Sequence, residues 1–319
     1  MKPRPIAPFR NPALATLMLV AGTAAGAQAP EATGGYAIAP LQWSASRDSD
    51  GLVIQKPGVS VYRNWRSSSQ WEAVEWQAQR YAQNGQALRG RSLAWVGQAI
   101  DPATGLGHAY RVGWSDGPAR STVVADGAWN AALGPRTQWG LFGTHDAVES
   151  IAGLRDGVSY TLLGANLDHS PIDRLTLVAA GHATRFSDDQ DRYQLRLRAI
   201  WDAWPAQGLT LQLHLRHQTG EGEAPVRRYF NPGQVDEVQA VLGWRRRWEG
   251  WQFTARAGAG AQWVDASAAE PVRIAELQLQ SPVRARQAFK LRWGYSQAQG
   301  LSGPGYVYRS ADLSWAFQF

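Results

Sequence analysis

Arg196 and Arg198 stand two residues apart, as do His214 and Arg216, and Lys290 and Arg292, and the residue between each pair is apolar or aromatic-flanked. Side chains alternate across an extended strand, so each pair shares one face. Asp202, Glu237, Arg245, Arg256, Glu276 and Asp312 fall on the same face of their own segments, and bases outnumber acids in this set. A row of fixed charges facing water can select the sign of what passes it. Such a wall would favour neutral or anionic solutes over cationic ones. The same charges could equally pair between neighbouring strands and serve only to hydrate the wall.

Other chemistry finds little support. The six histidines, His108, His145, His169, His182, His214 and His217, form no HExxH. His182 and His214 share the face of the arginines, and His217 lies opposite, but no local motif supports a Ser–His pair. Asp188, Asp189 and Asp191 could offer oxygen ligands to Ca²⁺. Aspartate is also favoured in turns, where it bonds the backbone, and that reading is preferred. With no cysteine there is no disulfide, thiolate site or lipoprotein anchor. We expect neither a cofactor, a metal nor an enzymatic activity. The basic residues are scattered, which argues against nucleic acid as a partner.

The elements that carry these residues read as strands. Leu313, Trp315, Phe317 and Phe319 alternate with Asp312, Ser314, Ala316 and Gln318. Phe289, Leu291, Trp293 and Tyr295 alternate with Lys290, Arg292, Gly294 and Ser296. Similar alternation runs through 193–202, 209–216 and 251–263, the last with Trp251 and Trp263 closing an alanine-rich face. A soluble β-sandwich also alternates. These strands, however, reach the ~9–11 residues that a tilted membrane strand needs, and several end on aromatics. The chain has 16 Trp and 10 Tyr, residues suited to a membrane interface. Its 44% hydrophobic content and mean hydropathy of −0.35 fit a barrel, because half of each strand faces a wet interior.

Turn signals at 48–51, 84–85, 101–107, 116–118, 133–136, 168–173, 187–191, 205–208, 220–232, 249–250, 265–271, 281–282 and 300–305 divide the chain. They predict an all-β fold, a transmembrane antiparallel β-barrel of about 16 strands. The N-terminal third is less regular and leaves fourteen open. A short helix is expected within 146–154. Residues 1–10 form a basic leader and 13–21 an apolar run too short to span a bilayer, which together predict a signal peptide over 1–27. Cleavage after Ala29 is the alternative. Residues 28–319 then form one barrel, reached by secretion and placed in a bacterial outer membrane with both termini periplasmic. On that orientation 220–232, 265–271 and 300–305 lie outside the cell, while 205–208 and 249–250 are periplasmic. Outer-membrane lipid and lipopolysaccharide are expected partners.

One stretch carries a resemblance. Phe186-Ser187-Asp188, Arg192, Trp204-Pro205 and Arg228-Tyr229-Phe230-Asn231-Pro232 follow one another in an order that resembles the C-terminal barrel of poly-N-acetylglucosamine export porins, and more loosely of bacterial cellulose export channels. The segment 148–160 (VESIAGLRDGVSY) fits the same order. The resemblance covers the C-terminal half well and the remainder weakly. It implies passage of an exopolysaccharide chain across the outer membrane in biofilm- or capsule-type secretion. The final residues Trp315, Phe317 and Phe319 resemble the signal read by the barrel insertion machinery. The family usually carries periplasmic tetratricopeptide repeats, and no room for them exists between Pro30 and Tyr36. A separate periplasmic repeat protein and a polysaccharide synthase are therefore expected partners. Tyr229 and Phe230 could stack on sugar at the outer mouth, although packing within the loop is the preferred reading. The alternatives from other classes are a general or sugar diffusion porin, a closed structural or receptor barrel, and a lipid-modifying barrel enzyme.

Overall fold

The computed structural model describes residues 35–67, 69–101, 103–221, 228–282, 286–300 and 303–318. The expected leader and Phe319 lie outside the described residues. Sixteen strands follow in order: β1 (Gly35–Asp48), β2 (Val53–Trp65), β3 (Gln70–Gln83), β4 (Gln86–Ile100), β5 (Gly107–Asp116), β6 (Ser121–Gly134), β7 (Thr137–Ala147), β8 (Ser159–Ile172), β9 (Leu175–Phe186), β10 (Asp191–Trp204), β11 (Leu209–Gly220), β12 (Gln234–Trp248), β13 (Trp251–Val264), β14 (Glu270–Gln280), β15 (Gln287–Gly300) and β16 (Gly303–Gln318). A helix, α1 (Ile151–Asp156), lies between β7 and β8.

Each strand pairs antiparallel with its sequence neighbours, and β1 pairs with β16, from Ala37 opposite Gln318 to Asp48 opposite Tyr308. Closure leaves no strand edge, the condition for burying backbone in hydrocarbon. A 14-residue strand rises about 46 Å along its own axis and about 35 Å along the barrel at a tilt near 40°. That exceeds the apolar band of about 25 Å typical of membrane barrels.

The outer face carries an apolar belt at mid-height. Leu163, Leu195, Leu211, Leu242 and Leu277 are all exposed. Buried among other side chains, such leucines would stabilise a soluble core. Exposed in a continuous belt, they fit hydrocarbon. Trp251 and Trp263 flank the outward alanines of β13 as expected. The tryptophans do not form two clean rings, because Trp43, Trp76, Trp95 and Trp293 sit in mid-strand.

Connections differ between the ends. The two longest, 148–158 and 221–233, emerge at the same end, here termed the upper rim. Tight hairpins occur at both ends. Asn84-Gly85 (φ 49° and 75°) and Glu249-Gly250 (φ 48° and 83°) both take positive φ at two successive residues. That geometry matches the right-handed twist of the strands it joins.

Three sequence expectations need adjustment. The connection at 66–69 was not among the expected turns, although its run Ser67-Ser68-Ser69 is a turn signal, and it completes the sixteen-strand count. Asp168 belongs to β8, whose turn begins only after Ile172. The helix lies at Ile151–Asp156, slightly later than expected. Ser150 caps it by accepting a hydrogen bond from the Gly153 N–H at 2.9 Å, and Gly157 ends it at φ 66°.

Candidate functional site

The register places Arg196, Arg198, Asp202, Arg216, Glu237, Arg245, Arg256, Glu276, Lys290, Arg292 and Asp312 on the inner face. Cross-strand partners in an antiparallel sheet face the same side, and the pairs run Arg196–Arg216, Arg216–Glu237, Arg256–Glu276 and Arg292–Asp312. Arg192, Arg247 and Glu270 join them by alternation, and the sequence reading did not include those three among the inner charges. The inner wall of β10–β16 thus carries nine bases and five acids.

The opposite wall has the reverse balance. Asp48, Glu75, Asp126, Asp146 and Asp168 face inward from β1–β9, against Lys56 and Arg111. Strands β3–β8 lie across the circle from β11–β16. A charge in the lumen therefore meets an excess of bases on one side and of acids on the other.

Within each wall some charges pair. Arg216 Nη2 lies 2.5 Å from Glu237, while Glu276 sits 3.8 Å from Arg256 and 3.7 Å from Arg292. Arg111 and Glu75 meet at 3.3 Å with both side chains buried, and Arg111 also donates to Ser92 at 3.2 Å. His214 bonds Gln212 at 2.9 Å. Among the described residues no serine hydroxyl bonds a histidine, and no group of three His, Asp or Glu could hold a metal.

The upper rim gathers the residues that carried the resemblance. Tyr229 stacks on Phe186 with ring centroids 4.3 Å apart and planes 19° apart. Its hydroxyl donates to Asp188 at 2.7 Å. Burial first, then that hydrogen bond, pushes the Tyr229 hydroxyl well above its usual range. Arg192 lies 5.1 Å above the Phe186 ring, donates to Asn231 Oδ1 at 3.0 Å and also donates to the Phe230 carbonyl. Asn231 and Pro232 are buried. This half of the loop packs inward and presents no free aromatic platform at Tyr229. Asp188 serves Tyr229 and Arg228, while Asp189 and Asp191 pair with Arg185, so the acidic turn is occupied by protein cations.

The same segment grips α1. Arg228 Nε lies 2.5 Å from Asp156, whose hydrogen bond raises the guanidinium pKa further, and Ser150 donates to the Arg228 carbonyl at 2.5 Å. Ile151 and Leu154 of α1 pack on Ile54 and Tyr81 of β2 and β3. Beside them Lys56 pairs with Glu149, which accepts from the Tyr81 hydroxyl at 3.2 Å. The helix therefore reaches from β7–β8 to β2–β3 inside the upper mouth and is fixed on both sides.

Of the expected insertion residues, Trp315 faces outward with its ring 4.3 Å from that of Phe317. At the lower end, Tyr62, Trp65 and Trp71 make an edge-packed aromatic group over Ala37, Ala39 and Val96.

No protein-family model and no curated protein matches the chain. Among solved structures, one described as "Bacterial polysaccharide outer membrane secretin" aligns at a TM-score of 0.65 and 13% identity, covering 89% of this chain and 98% of that one. CdiB from Acinetobacter baumannii aligns at 0.47 and 10%, covering 88% and 60%. The outer membrane protein OprD from Pseudomonas aeruginosa aligns at 0.45 and 11%, covering 90% and 94%. At these identities the likeness establishes the fold alone, and that fold is a closed sixteen-stranded antiparallel barrel of the kind found in outer membranes.

Proposed function

We propose that this chain is an outer-membrane channel that passes an exopolysaccharide. The observation that carries this reading is the upper-rim cluster of Phe186, Asp188, Arg192, Tyr229 and Asn231. It unites the residues by which the chain resembles exopolysaccharide export porins and holds α1 and residues 228–232 inward over a polar, charged lumen. The near-complete overlap with a barrel described as a polysaccharide secretin supports it. Both termini are then periplasmic, which sets the long loops and α1 outside the cell. The chain lowers the barrier to crossing by supplying a hydrated path, and it performs no bond-breaking chemistry.

A second reading is a general or sugar diffusion porin. The opposed basic and acidic walls favour it, because a transverse field orients small charged solutes as readily as polymer segments. Efflux of sugar oligomers of increasing length from vesicles containing the folded barrel separates the two. Export predicts that long oligomers escape at rates similar to short ones. Diffusion predicts a sharp fall with size.

A further inference from the structure

Two pairs of like charge stand directly opposite one another on the outer face near the upper rim. Arg47 of β1 pairs in register with Arg309 of β16, and Arg80 of β3 with Arg89 of β4. All four side chains are exposed. Opposed like charges on one face destabilise a sheet. None of the four forms an ion pair with a described carboxylate. Nearby Arg91 has Asp116 at 3.2 Å. Elsewhere on the upper outer face Arg185 has Asp189 and Asp191. The two bare pairs are separated only by β2, about 10 Å along the sheet.

Their height is informative. Two positions below Arg47 on the same face comes Ala45, and then Trp43; below Arg80 come Ala78 and Trp76. Both tryptophans are exposed on the apolar belt. The arginines thus sit one to two turns of the pleat above the belt, about 13 Å from those tryptophans along the strand. That is where headgroups meet a membrane barrel. Guanidinium groups bind phosphate through paired N–H donors.

We infer that the outer face of β16–β4 binds a phosphate-bearing glycolipid of the outer leaflet, with Arg47–Arg309 and Arg80–Arg89 each taking a phosphate group. This rests on the proposed outer-membrane placement with the upper rim outside. The lipid supplies the anion that the protein omits, and it fixes this side of the barrel against the bilayer.

The test uses the full barrel, folded in detergent and checked for fold by heat-dependent gel mobility. Bisphosphorylated lipid A and its dephosphorylated form are titrated by native mass spectrometry. The inference expects the dephosphorylated lipid to bind about tenfold more weakly. It expects a similar loss for phosphorylated lipid in Arg80→Gln/Arg89→Gln and in Arg47→Gln/Arg309→Gln. Equal affinity for the two lipids, which needs no variant to observe, overturns it. Displacement of the lipid by equimolar inorganic phosphate also overturns it, in favour of a free-anion site. A separate arm tests the placement: the chain lacks cysteine, so Ala119→Cys in an upper turn gives one thiol. Labelling of intact cells by an impermeant maleimide supports the orientation. Labelling only after permeabilisation refutes the orientation and, with it, the leaflet assigned here.

Discussion

Arg228 Nε meets the Asp156 carboxylate at 2.5 Å, and this contact ties the segment before β12 to the end of α1 across the upper mouth. The two residues are far apart in sequence and meet because residues 228–232 pack against the end of α1. Arg228→Ala removes the contacts to both Asp156 and Asp188. We expect faster proteolysis within 148–158 and larger current fluctuations in bilayers, with strand content unchanged by circular dichroism. Unaltered proteolysis would show that the apolar seat of Ile151 and Leu154 holds the helix alone.

Tyr229 holds the same latch by stacking and by its hydroxyl. Tyr229→Phe keeps the stack on Phe186 and loses the bond to Asp188, a change of about 1 kcal/mol. Tyr229→Ala loses both, adding about 1 kcal/mol for the aromatic pair. Folding raises the Tyr229 pKa above its unfolded value near 10. The contribution of its protonated form is therefore complete below about pH 10 and is lost as pH rises through the folded value. Proteolysis of the upper loops measured against pH should accelerate only in strong alkali, and Tyr229→Phe should lack that component.

Glu75 and Arg111 are both buried within the wall at 3.3 Å. Removing one partner breaks a buried ion pair, at a cost of about 3 kcal/mol for loss of Arg111 and less for loss of Glu75, because Asp126 stays directly opposite Arg111. Glu75→Ala should lower the urea midpoint of the folded barrel, and Glu75→Ala/Arg111→Ala should recover part of the loss. Full additivity of the two single changes would contradict a coupled pair.

The excess of bases on β10–β16 should set ionic preference. Arg196→Gln/Arg198→Gln is expected to move the reversal potential in a salt gradient toward cation selectivity. A wild-type channel that already prefers cations would mean that the acidic wall of β1–β9 dominates instead.

Much of the barrel was legible because the second half alternates cleanly. Leu211, Leu213 and Leu215 face out while Gln212, His214 and Arg216 face in. The first third was harder to read for a physical reason. The inner faces of β1–β4 carry Ala37, Ala39, Tyr62, Ala73 and Val96 around the lower aromatic group, and Ile54 and Tyr81 beneath α1. Apolar residues then occur on both faces and the period of two fades. The acidic wall was missed in part for the same cause, since Glu75 sits between inward Ala73 and Gln77 on a strand whose alternation is weak, and in part because Asp146 and Asp168 were read as helix and turn although they lie in β7 and β8. The contacts joining Arg228 to Asp156 and Arg192 to Asn231 depend on loop folding that strand periodicity does not encode.

The most direct measurement is the conductance of the purified, folded barrel in planar bilayers, with sugar oligomers of each charge added as blockers. The account predicts a stable conductance that neutral or anionic oligomers block more strongly than cationic ones. A folded, inserted barrel that passes no current, both as wild type and as Arg228→Ala, would contradict a channel.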